Sequence, residues 1–121
     1  MELRNQLSQH RLDRLRPLPL IAEFTAAAWP GPVALGTVPA DHLVRKAVVE
    51  ILEVFDGGAA ITVGDAVAQG RFQAVADNTP SRVFRYNHEN DYRYDTDTAV
   101  AVYLPAGAPT VGRARVILYL D

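Results

Sequence analysis

The densest set of groups able to do chemistry is Asn87, His88, Glu89, Asn90, Asp91, Asp95 and Asp97. A hard cation such as calcium takes roughly six to eight oxygen ligands, and carboxylates clustered on loops supply them. Asp95 and Asp97, two positions apart, would share one face of a strand. The run lacks the glycine-bearing loop of an EF-hand. Its plainer reading is a solvated loop and strand edge whose acidic residues discourage pairing with foreign strands. His10, His42 and His88 lie far apart and in no H-x-x-x-H spacing, so a zinc site with its clustered ligands is not expected. Ser8 and Ser81 stand outside any nucleophile-elbow pattern. Glu50 and Glu53 would point to opposite faces of a strand, or share a solvated face of a helix, and neither arrangement makes a catalytic pair. The glycines at 31, 36, 57, 58, 64 and 70 never form a G-x-x-x-x-G-K-[ST] phosphate loop. Arg82, Phe84, Arg85, Tyr86, Tyr92, Arg93 and Tyr94 come nearest to a basic patch interleaved with aromatics. Their alternation could set Arg85 and Arg93 beside tyrosine rings on one sheet face. That is a cross-strand ladder in the plain reading, or an exposed aromatic row for glycan rings or a partner protein. No catalytic, cofactor-binding or metal-ligating residue is expected, and the chain reads as a non-enzyme that needs no cofactor.

The chain has 121 residues, enough for one domain and too few for two well-packed ones. Its hydrophobic fraction of 49% supplies a core. A net charge of -2 gives no global field for nucleic acid or an anionic membrane, so neither partner is expected. Cysteine is absent, which removes disulfides, thiolate nucleophiles and cysteine metal sites. No stretch approaches the roughly 20 apolar residues that span a bilayer. Arg4, Arg11, Asp13, Arg14 and Arg16 interrupt any apolar region of a secretory leader, so synthesis and folding in a cytoplasm are expected.

The elements that must position these residues read mostly as short strands. Residues 1–16 are polar, arginine-rich and free of glycine and proline. Leu3 and Leu7 share a helical face, and Leu12 and Leu15 form a second pair, but so short a helix is marginal alone. Pro17 and Pro19 stop it. Trp29-Pro30-Gly31-Pro32 is a rigid, turn-rich stretch, followed by a short strand over residues 33–38. Residues 43–55 are ambiguous. Apolar positions at 43, 47, 51 and 55 fit a helix, while Val44, Val48, Val49, Ile51 and Val54 are β-branched and favour a strand. Asp56-Gly57-Gly58 is a turn, and residues 59–63 read as the returning strand of a hairpin. Residues 82–86 read as a strand and 87–91 as a polar loop. Residues 99–104 and 112–120 read as a terminal hairpin around a glycine-proline loop. In its second strand Arg113 and Arg115 alternate with Ala114, Val116 and Leu118. The expected core includes Val49, Ile51, Ile61, Val63, Val100, Val102, Val116 and Leu118. The expected fold is mostly β: a single antiparallel two-layer β-sandwich of about seven or eight strands with an N-terminal arm. Residues 1–31 form the arm and 32–121 the sandwich.

Four pieces in order carry a likeness to a known group. They are Val54-Phe55-Asp56-Gly57 running into Ile61-Thr62-Val63-Gly64-Asp65, then Gly70-Arg71-Phe72, then Tyr94-Asp95-Thr96-Asp97-Thr98-Ala99-Val100, and last Thr110-Val111-Gly112-Arg113-Ala114-Arg115-Val116. In this order they resemble small β-sandwich proteins of tailed-phage and prophage virions, which carry an F-D-G turn, a V-G-D step, an arginine-phenylalanine segment and a final small-residue-glycine strand. The resemblance implies a strand at 43–55 and a non-enzymatic structural role in the virion: capsid decoration, stabilisation or head-tail joining. Its implied partners are capsid, portal or tail proteins. One copy offers too little interface for a durable contact, so a homo-oligomer, a trimer or larger ring, is expected. The contact residues expected are Leu3, Leu7, Arg11, Leu15, Phe24 and Trp29, the apolar and arginine positions least explained by a sandwich core. The alternative is a carbohydrate- or receptor-binding module of a tail fibre, using the tyrosine row and the region of Asp95 and Asp97. A small hydrolase is the third reading, and no catalytic constellation supports it.

Overall fold

The computed structural model describes residues 18–121. Among them, strands run over β1 (Leu20–Thr25), β2 (Val33–Val38), β3 (Leu43–Glu53), β4 (Ala60–Asp65), β5 (Phe84–Arg93), β6 (Thr98–Ala106) and β7 (Arg113–Leu120). They make a four-stranded sheet in the order β1-β7-β3-β5 and a three-stranded sheet in the order β2-β6-β4. Every pairing is antiparallel. The two sheets enclose one core, and all of the core residues expected from the sequence lie in it. The antiparallel two-layer sandwich is the fold.

Period-two alternation explains most of the packing. On β7, Ala114, Val116 and Leu118 are buried in the core, while Arg113 and Arg115 face out. Fully burying a side chain the size of Val116 contributes about 1.5–3 kcal/mol. β3 settles as a strand because it lies between β7 and β5, where both of its edges find hydrogen-bonding partners. Its helix-like spacing has a structural cause. The register shifts between Val44 and Lys46, so Val44 and Ala47 both turn inward at a spacing of three.

The structure departs from the sequence reading in several places. Residues 20–25, assigned to the arm, form β1 and pair with β7 from Leu20↔Leu118 to Thr25↔Arg113. Leu20, Ala22 and Phe24 face the core, an alternation too short to stand out beside the neighbouring prolines. Neither expected hairpin exists. Asp56-Gly57-Gly58 carries the chain from the four-stranded sheet to the three-stranded one, and the loop after β6 carries it back. The two crossings lock together. The Ala108 N–H donates to the Gly57 carbonyl at 3.0 Å, and the Asp56 carboxylate accepts from the N–H groups of Thr110 and Val111. Residues 87–91 are not a loop but the middle of β5. β5 is an edge strand, so Asn87, Glu89 and Asp91 face water, while inward Asn90 donates to the Phe72 carbonyl at 3.0 Å.

The crossing places a special demand on Gly112, whose φ is +130°. A Cβ there would drive into the Phe55 ring. Gly58 also has positive φ, at +69°, but a Cβ there meets nothing within 4 Å. Gly112→Ala is therefore expected to lower unfolding free energy by about 3 kcal/mol or more, and Gly58→Ala by only about 1 kcal/mol. Urea denaturation of the two variants measures the difference. Equal costs would show that the Phe55 contact does not constrain the crossing.

Candidate functional site

The one place among the described residues where strongly shifted ionisable groups converge is the end of β4. Asp65 is buried there, with 3% of its surface exposed. Its Oδ1 accepts from the backbone N–H groups of Val67 and Ala68 at 2.9 and 2.8 Å, the local turn that an aspartate at this position favours. Its Oδ2 accepts from Arg71 Nε at 2.6 Å and from the Tyr94 hydroxyl. Arg71 lies over the Tyr92 ring at 4.4 Å, and Phe72, Tyr92 and Tyr94 pack edge to face.

The charges follow from this geometry. Burial pushes the Asp65 carboxyl up. The hydrogen bonds from Arg71, Tyr94 and the Ala68 backbone, with the Arg71 charge, outweigh it and hold the group at about 2. Burial, then the hydrogen bond to Asp65 and its charge, push the Tyr94 phenol above its usual range. The hydrogen bond to Asp65 keeps Arg71 more firmly protonated. A carboxylate so acidic is a poor general base, and its oxygens are fully engaged. A hollow of about 520 Å³ opens beside it, lined by Asp65, Val67, Arg71, Tyr92, Tyr94 and Asp97. Asp97 is also engaged, accepting from the Ala40 N–H at 2.8 Å. The cluster is a staple. It fastens the loop after β4 to the corner between β5 and β6.

A second buried polar pair closes the seam between β4 and β5. Gln73 donates to the carbonyls of Ala47 and Tyr86 at 3.1 and 3.2 Å. Asn78 donates to Gln73 Oε1 at 2.9 Å and to the Ile61 carbonyl at 3.0 Å. Sequence reasoning missed Asp65, Arg71, Gln73 and Asn78 as a group. The available signal was V-G-D followed six residues later by arginine, which read as a turn.

The residues singled out from the sequence are dispersed. Asp91 pairs with Arg45 at 3.5 Å, and His88 lies 3.7 Å from Asp77. Among the described residues no group of three or more His, Cys, Asp or Glu could hold a metal ion. No helix among them is long and apolar enough to cross a membrane. The tyrosines do not share a face with Arg85 and Arg93. Tyr86, Tyr92 and Tyr94 turn toward the core, because alternation along β5 sends neighbouring residues to opposite sides. As a regular strand, residues 43–55 would put Glu50 and Glu53 on opposite faces. A register shift between Ile51 and Glu53 brings both to the outer face, where they pair with Arg115 and Arg113.

Of the expected contact residues, Leu3, Leu7, Arg11 and Leu15 lie outside the described residues. Phe24 is 6% exposed and packs with Trp29 and Phe55, so it serves this chain's own core and offers no contact surface. Trp29 is half-buried, with its ring 5.0 Å from Phe55 and its Nε1 donating to the Ala106 carbonyl at 2.9 Å. One edge of it lines a shallow hollow with Pro30, Ala108 and Pro109.

The outer face of the four-stranded sheet carries the most ordered charge pattern. Strand register aligns Glu23, Arg115, Glu50 and Arg85 in one row across β1, β7, β3 and β5. The next row is Ile21, Ile117, Val48 and Asn87, and beyond it come Tyr119, Lys46 and Glu89. Lys46 Nζ sits 5.1 Å from the centre of the Tyr119 ring.

No protein-family model matches the sequence, and no curated protein matches it. Among solved structures, the chain is similar to a chain of the capsid asymmetric unit of cyanophage Pam1, with 14% identity, a TM-score of 0.66, and coverage of 85% of this chain and 82% of that one. It is similar to a chain of the acid-stable capsid of Helicobacter pylori bacteriophage KHP30, with 18% identity, a TM-score of 0.64 and coverage of 86% of each. A chain of the capsid of Ralstonia phage GP4 matches with 15% identity and a TM-score of 0.55, covering 87% of this chain and 84% of that one. At such identities the shared property is the fold.

The staple has a pH signature. Asp65 titrates at about 2 in the folded chain against an ordinary value of 3.8. A depressed carboxyl stabilises the fold above its unfolded value and loses that contribution as pH falls through the folded one. Asp65→Asn is expected to cost about 2 kcal/mol or more at pH 6. The gap between wild type and variant should then narrow by about 2 kcal/mol between about pH 4 and 2. Urea melts at pH 6, 4 and 2 measure it, and a gap independent of pH would remove the staple.

Proposed function

We propose that this chain is a non-enzymatic structural protein of a tailed-phage or prophage virion, and that it decorates or stabilises the capsid. The observation that carries the reading is the match in fold, over most of both chains, to chains from three phage capsids. Capsid attachment is favoured over head-tail joining because all three come from capsids. The chemistry supports a building block. The strongest cluster of ionisable groups is spent on internal hydrogen bonds, with its carboxylate engaged by backbone, arginine and tyrosine. The alternative, a glycan-binding tail-fibre module, loses its main support because the tyrosine row faces the core. The sandwich then supplies a rigid module, and the arginine-rich sequence before it, with arginines at 4, 11, 14 and 16, is the part we assign to contact with a neighbouring subunit.

Purified particles of the phage or prophage that encodes the chain test this reading. The protein should be present in mass spectra of intact particles at a copy number comparable to that of the major capsid protein. Particles assembled without it should open at lower temperature or after milder osmotic shock. Its absence from purified particles would sink the proposal.

A further inference from the structure

We propose that the outer face of the four-stranded sheet binds a second copy of this chain, through a two-fold axis that runs parallel to the strands between β7 and β3. The inference stands on the register of one row of charges and holds for the isolated protein, whatever its place in a particle.

The row reads Glu23, Arg115, Glu50, Arg85, one residue from each strand. Its ion pairs are loose, at 3.8 Å for Arg115–Glu23, 3.9 Å for Arg115–Glu50 and 3.6 Å for Arg85–Glu50. Side chains of Glu23, Arg115 and Arg85 are 47%, 39% and 49% exposed. Glu50 is the most covered, at 18%, while the open charges of Glu23, Arg115 and Arg85 add little to the stability of a single chain and stay free for a partner.

The alternating order has a geometric consequence. Rotation about an axis along the strands reverses each row while keeping its height. Glu23 then meets Arg85 of the other copy, and Arg115 meets Glu50, so every position is opposed by the opposite charge. In the adjacent row Ile117 and Val48 are buried beneath their neighbours, and exposed Ile21 meets Asn87 of the other copy, so the charged row alone carries the discrimination. Rotation about an axis along the row instead sets every charge against its own copy, and like charges so placed repel. The ladder therefore favours one of the two face-to-face dimers and rejects the other. Aligned stacking of twisted sheets, about 30° apart, is the usual geometry for two such faces. The face is about 14 Å wide, three interstrand steps of roughly 4.8 Å. That is a small footprint for a specific dimer, so the association is expected to be reversible and salt-sensitive. It is a two-fold pair, in place of the trimer or ring expected from size alone.

The decisive pair is Glu23 and Arg85. They occupy the two edge strands, roughly 14 Å apart within a chain and beyond the screening length of about 8–10 Å, so they do not couple within one molecule. In the proposed dimer they touch. Sedimentation velocity of the full chain, over a concentration series at low and high salt, reads the association. Wild type should dimerise and weaken with salt. Glu23→Arg and Arg85→Glu should each weaken the dimer by about tenfold or more. The double variant Glu23→Arg/Arg85→Glu should recover to within about threefold of wild type, since the pair is restored with its signs exchanged. A wild-type chain that stays monomeric, an oligomer indifferent to either single change, or a double variant as weak as the product of the singles would each overturn the proposal. Circular dichroism checks that the variants fold. If a reversal unfolds the chain, Glu23→Gln and Arg85→Gln replace it, and their effects must be non-additive for the proposal to stand.

Discussion

The register between β3 and β7 is the constraint on which the rest depends. Each of these strands is paired on both edges, so together they hold the four-stranded sheet. Val49 lies opposite Val116 and Ala47 opposite Leu118, which sends their side chains into the core. Glu50 lies opposite Arg115, which sends both out. A slip of one residue would bury the charges and expose the valines. Core and surface are therefore specified by one alignment. Two register shifts in β3, at Val44/Lys46 and Ile51/Glu53, trim its ends so that the alignment survives the twist of the sheet.

That register was legible where burial falls on one side of a strand. On β7, arginines alternate with small and branched apolar residues, and the sequence alone assigns its faces. On β3 the pattern fails because both sides are apolar. Val48 faces out yet is fully buried beneath its neighbours, so the apolar positions no longer recur every second residue. The bulge at its start adds a spacing of three, and periodicity alone leans toward a helix. β5 fails for the opposite reason. As an edge strand it is polar on its outer face, and its inward His88 and Asn90 meet the segment around residues 72–77 rather than apolar core. Composition there looks like a loop, while the backbone pairs with β3 from Leu43↔Arg93 to Ile51↔Phe84. The resemblance through the F-D-G and V-G-D pieces resolved β3 where periodicity did not.

The Asp65 cluster was illegible for a different reason. Its parts are non-local: the carboxylate ends β4, the guanidinium sits six residues on, and the phenol follows β5. Asp65 and Arg71 are six residues apart, but no local spacing brings in Tyr94. Their proximity follows only once the sheets are stacked. The energetics also explain why the cluster stays structural. A buried carboxylate is costly unless its acceptor sites are filled, and here backbone, arginine and tyrosine donors fill them. The saturation that makes the charge tolerable also makes it chemically quiet. A reactive carboxylate needs an acceptor site left open or a pKa near the working pH, and this one has neither.

The two outer faces of the sandwich divide the remaining work by chemistry. On the three-stranded sheet, Ala34 lies opposite Ala101, Thr37 opposite Ala99 and Thr62 opposite Tyr103, and none of these is charged. An uncharged face of mostly small residues, hollowed beside Tyr103, has no means of rejecting a partner in the wrong register. The four-stranded sheet carries alternating charge in fixed rows, and a shift by one strand there puts like against like. Apolar area supplies attraction without direction, whereas a ladder of charges supplies direction with little attraction. Discrimination between partners, or between poses of one partner, therefore belongs to the charged face. That face inherits its pattern from the β3–β7 register that also builds the core, so a sequence change that shifted the register would lose packing and recognition together.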